Sequence, residues 1–277
     1  MRKISNILQT LFFYFKPRKI VAQYKLYLGD EWLELSVDSI VNYVDKVLLV
    51  VSDVPWGNDI DIEKDNLEPI IKSLKNKYGN KIIVYNGSWN NQLEHVKSGL
   101  EYIKKKLLNA THCLYIDSDE IYTEYQIKKL LKLTKCIKYF NRAIRINYHS
   151  YFKSIYYIIK PEKWATALVL FPIRDYTEYL SERNNVTSKI IDIPEMFYEH
   201  FSYVRNSDEK IYKKLIAHKA SIEPILKNWY EDVWLKWTPE CKNFHPTNPV
   251  FFETVVKIDG NNLPKGVVEK YKEWATD

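Results

Sequence analysis

Apolar positions along this chain follow two rhythms, and through the first half they alternate. Residues 19–28 form a run dense in Ile, Val, Tyr and Leu, broken by Gly29-Asp30-Glu31, and read as a strand. Trp32, Leu33, Leu35, Val37, Ile40 and Val41 then recur at helical spacing. The pairing repeats. Residues 45–51 predict a buried strand ending at Ser52-Asp53, and residues 67–78 a helix stopped by Gly79 and Asn80. Residues 81–85 predict a third strand, 90–108 a long helix, 112–116 a fourth strand and 126–133 another helix. Strand and helix joined by short connections predict a parallel sheet covered on both faces. Ligands of such sheets collect beyond the carboxyl ends of the strands, where Asp30, Asp53 and Asp117 fall.

From about Ala143 the rhythm shortens. Residues 143–151, 154–159 and 165–171 look like shorter strands with aromatic alternation, partly antiparallel; 190–204 contains another strand and 209–219 a helix. With no linker between the halves, the expectation is one α/β domain over 1–277. Its Rossmann-like, mostly parallel sheet would be flanked by helices, with a smaller, partly antiparallel C-terminal part. Residues of about 19–125 form the nucleotide-binding half of that expectation, and about 140–277 the acceptor-binding half.

Composition narrows the class. Apolar residues make up 46% of the 277, ample for a packed core, and seven Gly with eleven Pro leave no room for low-complexity tracts. The net charge of +6 suits an anionic partner such as a nucleoside diphosphate, a lipid phosphate or a membrane surface. The lysines are dispersed along helical stretches, which speaks against nucleic acid. Cys113, Cys136 and Cys241 match neither a zinc site nor a disulfide framework, so a cytoplasmic, reducing compartment is expected. Near the N-terminus Leu8, Leu11, Phe12, Phe13, Tyr14 and Phe15 cluster between basic residues. The cluster is too short to span a bilayer, leaving a first helix packed on the domain or a segment lying on a membrane surface. The many Tyr and Trp suit sugar faces as well as core packing.

The candidate chemistry begins with an absence. Neither a G-x-G-x-x-G nor a G-x-x-x-x-G-K-[ST] occurs, so bound phosphates must be neutralised by other means, and a divalent ion held by carboxylates is one. The segment HCLYIDSDE offers that: Asp117 and Asp119 lie just beyond a buried strand and can point into one pocket. Hard cations such as Mg2+ or Mn2+ take carboxylate oxygens together with substrate phosphate oxygens. The alternative is a helix cap, with Ser118 or Asp119 capping the segment after it. A hydroxyl that is to act as a nucleophile also needs a carboxylate to take its proton. Asp175, Glu178 and Glu182 follow the 165–171 strand, and Asp175 is preferred as nearest to its end.

On these residues the first 125 positions resemble the nucleotide-binding half of GT-A glycosyltransferases, family 2 above all. Leu28-Gly29-Asp30-Glu31 stands where those enzymes carry an Asn-Glu pair after the first strand, and VLLVVSD ends in Asp53 as their second strand ends in an acid. Their following Ser-x-Asp-Gly-Thr pattern is degenerate here, as Val54-Pro55-Trp56-Gly57-Asn58-Asp59. The resemblance implies nucleotide contacts at Glu31, Asp53 and Asp117, with Asp119 as the direct metal ligand and Glu120 supporting the turn or the donor sugar. MFYEHFSYVR resembles a late strand whose His completes the metal sphere in some of these enzymes, which implies that role for His200, with Arg205 and Lys210 near the diphosphate. The implied activity is an inverting transfer of sugar from a UDP- or GDP-sugar to a glycan, lipid or protein. The alternatives are a nucleotidyltransferase, or a non-catalytic carbohydrate- or membrane-binding protein on the same scaffold.

Overall fold

The computed structural model describes residues 14–56, 62–162, 165–219 and 223–274. The N-terminal cluster from Leu8 to Phe13 and the loop residues Gly57, Asn58 and Asp59 lie outside the described residues. Strands β1 (Ile20–Leu26), β2 (Lys46–Ser52), β3 (Ile82–Gly87) and β4 (His112–Ile116) alternate with helices α1 (Asp30–Ile40), α2 (Glu68–Tyr78) and α3 (Gln92–Lys106). After β4 come a two-residue strand β5 (Glu120–Ile121) and helix α4 (Glu124–Lys132). The second half adds β6 (Ala143–Asn147), β7 (His149–Phe152), β8 (Ser154–Lys160), β9 (Thr166–Pro172), β10 (Ile190–Ile193), β11 (Glu199–Tyr203) and β12 (Thr254–Lys257). Its helices are α5 (Asp208–Lys219), α6 (Glu223–Trp229) and α7 (Val267–Trp274).

Two sheets result. The larger runs β10-β6-β9-β4-β1-β2-β3, and every strand in it is parallel except β9, which is antiparallel to both β4 and β6. The smaller runs β12-β8-β7-β11-β5. This is the mixed, mostly parallel architecture that the sequence rhythm predicts. Strand β1 is buried along its whole length because both faces are covered. Ala22, Tyr24 and Leu26 face Leu33, Val37 and Ile40 of α1, while Val21 packs with Val96, Leu100 and Ile103 of α3.

The apolar run at 143–151 divides at Tyr148 into β6 in the large sheet and β7 in the small one. The 190–204 run divides in the same way, into β10 and β11. The two crossings run side by side, with Asn147 N–H donating to Met196 O at 3.0 Å and His149 N–H to Tyr198 O at 2.9 Å. Continuous hydrophobicity cannot report such a break, because each piece is buried in its own layer.

A third core lies behind the small sheet. Phe152 is fully buried among Tyr203, Trp229, Trp234, Trp237, Phe244 and Phe252, so the C-terminal tryptophans pack. No helix among the described residues is long and apolar enough to cross a membrane.

Two histidines tie the large sheet to its surroundings as neutral groups. His95 accepts Trp56 Nε1–H at Nδ1 (3.0 Å), which leaves Nε2–H to donate to Val50 O (3.0 Å). Burial, and then the nearby Lys25 charge, push its pKa down to about 3. Burial likewise takes His112 down to about 3, with Arg18 and Arg174 adding to the effect against the Phe140 carbonyl that its ring contacts at 2.8 Å. In the unfolded chain both bind a proton below about 6.5. Stability from both is therefore fully present above about 6.5 and is lost as pH falls from there toward 3. From pH 7.5 to pH 5 the loss is expected to be about 2 kcal/mol for each. Urea unfolding at the two pH values checks this, and His112→Gln should remove about half of the dependence.

Candidate active site

The site lies at the carboxyl edge of β1 and β4, and its geometry starts with a glycine. Gly29 turns the chain from β1 into α1 at φ +119°, and a Cβ there would fall 2.1 Å from Ser118 Oγ. Its N–H donates to Asp65 Oδ2 at 2.7 Å. The β1–α1 turn thus presses on the turn after β4 and brings Glu31 to the same edge as Asp117 and Asp119.

The turn Asp117-Ser118-Asp119-Glu120 is closed from within. Glu120 N–H donates to Asp117 O (3.1 Å), and Asp117 N–H donates to Glu120 Oε2 (3.2 Å). The fully buried Glu120 carboxylate receives Arg183 and the Tyr198 hydroxyl (3.0 Å), so it supports the turn. The helix-cap alternative fails. Helix α4 is capped by Thr123, whose Oγ1 accepts from Gln126 N–H (3.2 Å) while the Gln126 side chain accepts from Thr123 N–H (2.7 Å).

Asp119 instead points into a cluster of cations. Its Oδ2 accepts from Arg205 Nη2 (2.5 Å) and Lys214 Nζ (2.6 Å), and its Oδ1 lies 3.4 Å from His200 Nε2. Burial opposes ionisation of Asp119, but Lys214, His200 and Arg205 outweigh it and hold the carboxyl well below its usual range. Asp117 is lowered too: Lys25 and Arg183 overcome its burial. Its Oδ1 is buried and takes no hydrogen bond.

Strand pairing explains how residue 200 reaches residue 119. Strand β11 runs antiparallel to β5 with His200 opposite Glu120, and Phe201 N–H donates to Asp119 O at 2.9 Å. Trp32 of α1 stacks on Phe201 (4.8 Å) and donates its Nε1–H to Val204 O (2.9 Å), fixing the chain just before Arg205. Arg205 Nη1 then reaches Glu31 Oε2 (3.1 Å), and Asn206 N–H reaches Glu31 Oε1 (2.6 Å).

These groups line a cavity of about 320 Å³. Glu31, Asp117, Asp119 and His200, all expected from the sequence, are brought together on its wall. So is Arg205, and so is Lys210, which binds Asp30 at 2.7 Å. Two expected residues are not. Asp53 is exposed at the end of β2, paired with Lys64 at 3.0 Å and outside the cavity lining. Asp175 is a correction of geometry. Because β9 is antiparallel, its carboxyl end lies beside the start of β4, where Ile173 N–H donates to Thr111 O (2.8 Å). Asp175 is therefore exposed at the opposite edge of the sheet, its carbonyl accepting from Lys104 Nζ at 3.3 Å. Glu178 is also exposed, against Lys97, whereas Glu182 lines the cavity.

Several wall residues carry no sequence pattern that singles them out. Lys25 falls within a strand read as hydrophobic; its ammonium contacts Gln92 and Glu182 and lies 4.8 Å above the Trp56 ring. Asp65, Lys213 and Lys214 also line the cavity. The lysines had a legible sign: Lys210, Lys213 and Lys214 follow helical i, i+3, i+4 spacing on α5, which puts them on one face.

No family model matches the chain, and no curated protein matches it. Among solved structures it is similar to residues 1–349 of S. aureus TarS, at 10% identity over 74% of this chain and 73% of that one, with a TM-score of 0.42. It is also similar to the 4-diphosphocytidyl-2C-methyl-D-erythritol synthase of Anaerococcus prevotii, at 15% identity over 74% of this chain and 96% of that one, with a TM-score of 0.40. The strand order of the large sheet is that of a mixed, mostly parallel α/β fold.

Proposed function

We propose that this protein is a metal-assisted glycosyltransferase that moves a sugar from a nucleoside-diphosphate sugar to an acceptor hydroxyl. The observation that supports it most is the convergence of Asp119 and His200 with Arg205, Lys210, Lys213 and Lys214 in one cavity beyond the carboxyl ends of parallel strands. Lysines and an arginine suit a diphosphate, and a site of this kind at the strand ends suits a nucleotide.

The donor set fits a divalent ion. Asp119 Oδ1 and His200 Nε2 face each other at 3.4 Å, and Asp117 Oδ1 is buried without a partner. Among the described residues no group of three or more His, Cys, Asp or Glu is arranged to hold an ion. Mn2+ and Mg2+ need few protein ligands, since they commonly take one or two carboxylates and complete their sphere with water and substrate phosphate. Bound there, the ion would stabilise the charge that develops on the diphosphate leaving group.

The chain's own groups divide the remaining work. Arg205, fixed by Glu31, and the α5 lysines neutralise the phosphates. Glu31 keeps the guanidinium from turning away. For an inverting transfer, Glu182 takes the place first given to Asp175, since its carboxylate is on the cavity wall beside Lys25. Glu182→Gln is expected to lower kcat about a hundredfold while donor binding changes little. Steady-state kinetics paired with nucleotide titration check this; equal losses in both would assign Glu182 to donor binding.

The proposed activity is tested by the products from UDP- and GDP-sugars with Mn2+. Release of free nucleoside diphosphate is expected. Pyrophosphate formation from a nucleoside triphosphate would instead identify a nucleotidyltransferase, and no turnover with intact binding would leave a non-catalytic scaffold.

A further inference from the structure

Two cations bind the same oxygen of Asp119, and they are held differently. The side chains of Asp119 and Arg205 are 5% and 4% exposed. Arg205 is fixed from several directions, by Glu31 and by Nε–H donation to Ser202 O at 3.2 Å. Lys214 reaches in from α5 on a flexible four-carbon stem, with Ser202 Oγ at 2.5 Å among its partners. Lys210 and Lys213, on the same face, are paired with Asp30 (2.7 Å) and Asp65 (3.7 Å). Lys210, Lys213 and Lys214 are therefore each held by an acid from the first half of the chain.

Resting on the function proposed above, we propose that Lys214 is a place-holding cation, which neutralises Asp119 until the ligands arrive and then leaves it for the donor's diphosphate. The physical ground is charge. A divalent ion approaching Asp119 alone meets two cations already on that carboxylate and is repelled. A diphosphate carries the opposite sign and offers Lys214 more negative charge than one shared carboxylate oxygen does. Drawing Lys214 away removes one of the two positive charges on Asp119, whose Oδ2 keeps Arg205, and so favours the ion at Oδ1 beside His200. Metal and nucleotide then bind interdependently, and each must raise the affinity of the other by the same factor.

The test is a Mn2+ titration followed by the paramagnetic resonance of the free ion, without nucleotide and with UDP or GDP. It compares wild type with Lys214→Met, Lys214→Gln and Lys214→Arg. Wild type and Lys214→Arg are expected to bind Mn2+ weakly alone and at least about tenfold more tightly with the nucleotide. Lys214→Met and Lys214→Gln are expected to bind Mn2+ alone at least about tenfold more tightly than wild type, with a smaller gain from nucleotide. Unchanged or weaker Mn2+ binding in both neutral variants, shown to be folded by circular dichroism, would overturn the inference. If no nucleotide binds wild type, the donor-site reading fails, and the nucleotide-free comparison still decides the role of Lys214.

Discussion

Asp119→Ala is expected to reduce sugar transfer by about a thousandfold in kcat/KM and, separately, to destabilise the ligand-free protein. The first effect follows from removing the carboxylate assigned to the ion, since loss of one preorganised charge-stabilising group costs about 10²–10³ and loss of the metal costs more. The second follows from what remains. Arg205 and Lys214 lose the oxygen they share, and Arg205 is almost fully buried. Removing one partner of a buried ion pair costs about 3–5 kcal/mol because a charge is left without compensation. Glu31 still faces Arg205, and Lys214 sheds its proton more readily once the pull of Asp119 is gone, so the lower end of that range is expected. Urea midpoints measured without ligand separate the two effects from activity. A variant as stable as wild type would mean the Asp119 ion pairs contribute nothing to the fold.

Phe152→Ala is expected to cost about 3–5 kcal/mol, the largest stability loss of any core truncation in the second half. Its ring lies 4.7 Å from Phe244, 5.0 Å from Trp234, 5.2 Å from Trp237 and 5.5 Å from Tyr203. These neighbours come from separate segments and cannot all close on the space left behind. For a chain of this length the midpoint of thermal unfolding should fall by about 5–10 °C. Phe152→Leu should cost much less, because most of the volume is kept. The functional consequence passes through β11, where Tyr203 packs on Phe152 three positions after His200. Activity below the melting transition should therefore fall as well. A Phe152→Ala midpoint within about 2 °C of wild type would refute the account of this core.

The sequence carried the first half of this fold because each buried strand there is continuous and each helix has one apolar face. The strand at His112–Ile116 matches residue for residue, since polar residues bound five buried ones. The second half was less legible for a topological reason. Residues 143–151 and 190–204 each supply strands to two sheets, and hydrophobicity looks the same on either side of the crossing. Direction was hidden as well: nothing in the residues of β9 says that it runs against its neighbours, and this placed Asp175 at the wrong edge. Of the site, Asp117 and Asp119 could be found from a strand end and a spacing, and His200 came only through family resemblance. Lys25 was concealed in a strand and Arg183 in a loop without periodicity, while Glu182 was one of three candidate acids with Asp175 preferred over it. Long-range pairing alone brings Lys25 to Glu182, and Arg183 to Asp117 and Glu120.

The central claim is that this edge of the sheet is a metal-assisted site for a nucleoside diphosphate. Thermal unfolding of wild type and Asp119→Ala with UDP, GDP, CDP and dTDP, each with and without Mn2+, tests it most directly, since a ligand that binds only the folded state raises the midpoint. The predicted result is a rise for one nucleotide that needs Mn2+ and disappears in Asp119→Ala. No rise with any nucleotide, or an equal rise in the variant, would contradict it.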